Sequence, residues 1–223
     1  MLPSHSCSVI HPSALGQDAC GASRQRMDTA KSRLRSFSMI FGIYVAPVFL
    51  LRSGLIPYSW RFFILIAVAI AATALAVNRR YSAIRLGMGR PKLLSVLAWS
   101  VIPSVLLLAG VFWADLQHRF QLTPRLPFYL FFVLLSAPAQ EFLYRSFLFA
   151  ELAAARVPRF GIVVISAVLY SFMHTIARDT TTTVLTFVVG LIWALIFLRT
   201  RSFYIVALSH AGLGAAAITL GVI

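Results

Sequence analysis

The chain has 223 residues, 60% of them hydrophobic and only 12% charged, with a mean hydropathy of +0.86. A soluble domain of this length needs far more polar surface, so composition excludes a soluble globular protein and indicates an integral membrane protein. The formal net charge of +14 does not point to nucleic acid, because the basic residues fall in short segments between apolar runs, which is how membrane topology is encoded.

From the N-terminus, residues 1–35 carry Ser, His, Pro and Gly without periodicity and are expected to be disordered. The first 26 read either as a cytoplasmic tail or as a stretch preceding a true start at Met27. Cys7 and Cys20 both lie here, with no CxxC pair and no zinc spacing, so a disulfide framework is not expected. No apolar core follows Met1, so a secretory signal is not expected either.

Seven apolar runs follow, each near the roughly 20 residues that a helix needs to cross a bilayer. They are Phe37–Leu55, Trp60–Val77, Leu93–Trp113, Leu126–Leu152, Phe160–Ala177, Thr182–Leu198 and Phe203–Ile223. With no internal repeat and no linker, this predicts one all-α bundle, a polytopic membrane protein of about seven transmembrane helices. Residues 36–125 form an N-terminal three-helix region without recognisable chemistry, and residues 126–223 a four-helix core. Fourteen Lys and Arg fall on one side of these spans and five on the other, namely Arg52, Arg61, Arg119, Arg125 and Arg178. The bias predicts a cytoplasmic N-terminus and an outside C-terminus, in the plasma (inner) membrane.

The fourth run contains Glu141, read as the only carboxylate placed deep in the membrane, with Arg145 one turn further on. At i,i+4 the two share a helix face and can pair. A charge in hydrocarbon costs several kcal/mol, about 3 even on the lowest scales, and so marks a functional site. Pro138 is positioned to bend this span just before Gln140 and Glu141. The fifth run ends in Tyr170-Ser-Phe-Met-His174, an aromatic and an imidazole on one face. The seventh carries Ser209-His210, then Gly212 and Gly214, small residues suited to close helix contact. Helical rise puts Glu141 and His210 in the cytoplasmic half and His174 nearer the outer half. Arg178-Asp179 reads as a surface ion pair.

Three short patterns in order, Gln140-Glu141-x-x-x-Arg145, Tyr170-x-x-x-His174 and His210-x-x-x-Gly214, resemble those of the CAAX protease and bacteriocin-processing (CPBP) family, which includes the type II CAAX prenyl endopeptidases. That family shows Glu-Glu-x-x-x-Arg, Phe-x-x-x-His and His-x-x-x-Asn on successive helices. The stretch Phe187–Tyr204 is similar to the family's sixth-helix segment, and the resemblance covers roughly residues 126–215. It implies an intramembrane endopeptidase of the glutamate type. A glutamate and the first histidine would activate a water, and the second histidine and the asparagine would stabilise the oxyanion. The residues carried over are Glu141, His174, His210, Gln140 and Arg145. The substrates implied are peptides or proteins with a membrane-proximal cleavage site: CAAX tails, bacteriocin leaders or C-terminal sorting helices.

Two positions depart from the family. Its first glutamate, the usual base, is Gln140 here, and its oxyanion-side asparagine is Gly214. An amide is not a useful base near neutral pH, and consecutive helical residues point about 100° apart, so Glu141 does not simply replace Gln140. Three readings remain: an active protease using Glu141 with His174, a catalytically inactive binding or immunity protein, and an introduced inactivating change at Gln140, which Gly214 argues against. No cofactor is expected. Zinc on Glu141, His174 and His210 is the metal alternative, and a transporter is a further one, disfavoured by the lack of a repeat. The expected partners are membrane lipid and a peptide or protein substrate, not nucleic acid.

Overall fold

The computed structural model describes residues 34–102, 104–105, 109 and 126–219. The N-terminal tail with Cys7, Cys20 and Met27, most of residues 103–125 with Arg119 and Arg125, and residues 220–223 lie outside the described residues. Within them every regular element is a helix: α1 (Leu34–Arg52), α2 (Tyr58–Asn78), α3 (Leu93–Val96, continuing as Leu97–Val101), α4 (Leu126–Ala154), α5 (Arg159–Ala177), α6 (Thr180–Thr200) and α7 (Phe203–Thr219). Five of these, all but α3 and α7, are long and apolar enough to cross a membrane. Helix α7 is apolar but shorter, and the second half of the expected third span is not described. Large apolar side chains such as Phe63, Ile70, Val77, Val184 and Leu195 face outward, the surface that a lipid-embedded bundle presents. The protein is a polytopic helical membrane protein.

Helix α4 is the axis of the molecule. Every residue from Gln140 to Leu152 is buried, so this half of the helix is covered on all sides rather than along one stripe. At 29 residues it is about 43 Å long at 1.5 Å per residue, longer than the hydrocarbon needs. It is not uniformly wound. π-helical turns occupy Phe132–Ser136 and Phe142–Phe147, with Pro138 in the short α-helical stretch between them. Proline removes one backbone donor and crowds the preceding turn, and a widened turn relieves that crowding.

Helices α5 and α6 pack closely because Gly190 has no side chain. A Cβ there would lie 3.1 Å from Tyr170 Cδ1 and 3.4 Å from Ala167 Cα. Asp179 fixes the start of α6 by accepting from the backbone N–H of Thr181 (3.2 Å) and Thr182 (2.7 Å). It is a helix cap rather than half of a surface ion pair, and the Arg178 Nη2 donates instead to the Arg52 carbonyl at 3.2 Å. At the other end of the bundle the α2–α3 loop is tied down. Phe203 N donates to the Gly87 carbonyl at 2.8 Å, and Gly87 has φ +76°, a conformation that favours glycine.

Glu141 is not the only buried carboxylate. Glu151, one turn from the end of α4, is fully enclosed and accepts from Arg79 Nη1 at 2.6 Å and Tyr81 Oη at 3.0 Å, while Arg85 Nη2 donates to the Ala150 carbonyl at 3.3 Å. Sequence reading overlooked it because it stands at the edge of an apolar run, where a carboxylate normally faces water.

Candidate active site

The polar residues of α4 point two ways. Glu141 and Arg145, both with no exposed surface, turn toward α7 and α6. Glu141 Oε1 accepts from His210 Nδ1 at 2.8 Å, and Arg145 Nε lies 3.3 Å from Glu141 Oε2. A carboxylate only accepts, so Nδ1 of His210 carries a proton toward it, and Nε2 lies 3.4 Å from the Tyr170 hydroxyl. Arg145 Nη2 donates to the Gly190 carbonyl at 3.1 Å, and the guanidinium lies over the rings of Tyr170 (4.5 Å) and Trp193 (5.7 Å). Those π-faces stand in for water around a cation whose Nη1 has no hydrogen-bond partner among the described residues.

Gln140 and His174 face the other way, into a cavity of about 390 Å³ bounded by α1, α2, α4 and α5 with the ends of α6 and α7. Gln140 Nε2 donates to Ser136 Oγ at 3.1 Å, and its Oε1 has no partner among the described residues. His174 Nδ1 lies 2.9 Å from the Tyr170 carbonyl. A carbonyl only accepts, so Nδ1 carries the proton, and Nε2 of the neutral ring holds a free lone pair. Neither Glu141, Arg145 nor His210 lines the cavity. Tyr170 separates the two groups, its ring 4.6 Å from that of His174 and its hydroxyl on His210.

Of the five residues singled out from sequence, the fold therefore joins Glu141, Arg145 and His210 in one contact and places Gln140 and His174 together on a cavity wall. Glu141, His174 and His210 do not converge as metal ligands, and among the described residues no three His, Cys, Asp or Glu side chains form a group able to hold an ion. The donor set does not fit zinc.

Three further residues shape the site. Trp193 stacks on His210 with ring centres 4.4 Å apart and donates through Nε1 to Ser209 Oγ at 3.1 Å. Ser136 holds Gln140. Phe132 packs against Gly214, where a Cβ would fall 2.8 Å from its Cε1 and closer still to Cζ, so the ring occupies the space that any side chain at position 214 needs. Gly212, expected from sequence to make a close helix contact, faces outward with nothing within 4 Å of a Cβ there among the described residues. The spacing of Gly190 and Trp193 at i,i+3 was the available signal for the wall of α6. Nothing in the sequence marked Phe132.

Residues 121–216 match the family model of type II CAAX prenyl endopeptidase Rce1-like proteins. That match bears out the resemblance carried by the three motifs: over these residues the chain is similar to type II CAAX prenyl endopeptidase Rce1-like proteins. No curated protein and no solved structure matches the chain significantly.

Proposed function

We propose that the chain is an intramembrane endopeptidase that hydrolyses a peptide bond of a membrane-associated substrate admitted to the cavity, with His174 as general base and Gln140 holding the attacking water. One observation carries this reading: Gln140 and His174 both line the cavity, and Gln140 Oε1 and His174 Nε2 have no hydrogen-bond partner among the described residues. A water that donates one hydrogen to each has its lone pairs free for the scissile carbonyl. As the C–O bond forms, the proton passes to Nε2 of His174. It is then returned to the amide nitrogen as the C–N bond breaks, giving a carboxylic acid and an amine. Glu141 lies outside the cavity and is engaged by Arg145 and His210, so in this scheme it is a positioning residue and not the base. This scheme assigns the base to an imidazole, where the sequence reading assigned it to Glu141 with His174.

A second reading, binding without hydrolysis, is favoured by Phe132. Its ring fills the place of the family's oxyanion-side asparagine and offers no donor there. Cleavage of a fluorogenic single-span peptide in proteoliposomes separates the two. Under the first reading the unaltered chain cleaves, and His174→Ala lowers the rate by about 10²–10⁴-fold. Under the second only Gln140→Glu, which puts a carboxylate on the cavity wall, produces any cleavage.

A further inference from the structure

We infer that the peptide enters the cavity from the end of the bundle opposite the basic loops, and that Arg61 at that end receives a carboxylate of the incoming peptide. The inference rests on the reading of the cavity as the peptide site and adds a side of access and a substrate charge. The lining runs inward from one end of every helix but α3: Leu51 closes α1, Tyr58 opens α2, Phe128 opens α4, Ala177 closes α5, Thr182 opens α6 and Ile218 closes α7. Because successive helices run in opposite directions, these positions share one end of the bundle. The other end carries Arg79 to Lys92, Arg156 and Arg159, and Arg199 and Arg201, and there the Glu151–Arg79 ion pair ties the α2–α3 loop to α4. The positive-inside bias assigns that basic end to the cytoplasm, so the cavity opens toward the opposite face.

The lining supplies the charge argument. Among the described lining residues Arg61 is the one Lys or Arg, and none is Asp or Glu. Its guanidinium is held over the rings of Tyr58 (4.1 Å) and Phe62 (4.4 Å), and Nη1 donates to the Tyr58 carbonyl at 3.2 Å. A fixed guanidinium fork beside a cavity whose described lining carries no carboxylate is matched by a carboxylate of the peptide, which it can engage with two parallel hydrogen bonds. The substrate is thus an apolar segment with an acidic group at its non-cytoplasmic end, not a chain whose cut bond lies in the cytoplasm.

The test uses the full chain with Cys7→Ser and Cys20→Ser and a single reporter, Ile176→Cys, on the cavity wall. A membrane-impermeant maleimide is applied to sealed right-side-out and inside-out vesicles, with and without synthetic single-span peptides bearing Asp or Lys at the non-cytoplasmic end. Labelling is expected from the non-cytoplasmic face, and the Asp peptide is expected to protect at concentrations roughly tenfold lower than the Lys peptide, the scale of one close charge pair. Arg61→Gln should erase that difference, and Arg61→Glu should reverse it. Labelling only from the cytoplasmic face, equal protection by both peptides, or protection by anionic phosphatidylglycerol in place of peptide would each overturn the inference. Labelling and protection need no hydrolysis, so a chain that shows the charge preference without cleaving defeats the peptidase reading and leaves this one standing.

Discussion

The chemistry of single side chains here turns on how a carboxylate and a guanidinium, both fully enclosed, are satisfied. Glu141 takes a hydrogen bond from His210 and an ion pair from Arg145, and Arg145 adds a carbonyl and two aromatic faces. Removing one member strands the other, because desolvation has already been incurred and only the compensation is lost. Arg145→Met is therefore expected to lower stability by about 3–5 kcal/mol. Combining it with Glu141→Gln should recover a large part of that loss, since no uncompensated charge then remains buried. Denaturant titration of the purified protein in mixed micelles checks both values. Additive losses in the double variant would show that the ion pair does not hold α4 against α6 and α7.

Among the elements, α6 shows how a local signal sets the site. Its first turn lines the cavity through Thr182, and that turn is held by the Asp179 carboxylate accepting from two backbone amides. The hydrogen bonds from Thr182 and Thr181 hold the Asp179 carboxyl below the usual carboxylate range. A lowered value means that the ionised cap stabilises the folded form, fully so above the ordinary carboxylate range. The contribution is lost as pH falls through the lowered value. Corrected for the intrinsic slowing of amide exchange in acid, protection at Thr181 and Thr182 should accordingly fall in acid relative to neutral pH, and in Asp179→Ala it should be low at both and lose that dependence. Helix α4 teaches a different lesson. Its two π-helical turns bracket the segment from which Gln140 and Glu141 face opposite sides, and Pro138 was visible in the sequence where the winding of its neighbours was not.

For the molecule as a whole, the two ends are chemically unlike. One end gathers the arginine-rich loops around the buried Glu151, and the other opens into the cavity. The charge bias predicts that a phosphatase fused after Ile223 is active when exported, and that a fluorescent reporter fused at the same point is dark. The reverse result would put the cavity on the cytoplasmic side and remove the basis for access from the opposite face.

The amino-acid sequence alone determined the membrane class, the approximate spans, the polarity of the loops and the three short motifs that carry the family likeness. These are properties of composition and local spacing, and hydrophobicity along a chain is read without knowing what packs on what. It also marked Gln140, Glu141, Arg145, His174 and His210 as unusual, because polar groups in apolar runs need a reason wherever they point. Only the tertiary structure decided the partnerships: that Glu141 turns to His210 and Arg145, that Gln140 and His174 share a cavity, that Phe132 fills the space beside Gly214, and that Glu151 is enclosed. The direction of a side chain on a helix depends on the winding of every turn before it, and its partners come from helices tens of residues away. Neither is encoded in the spacing of a short motif.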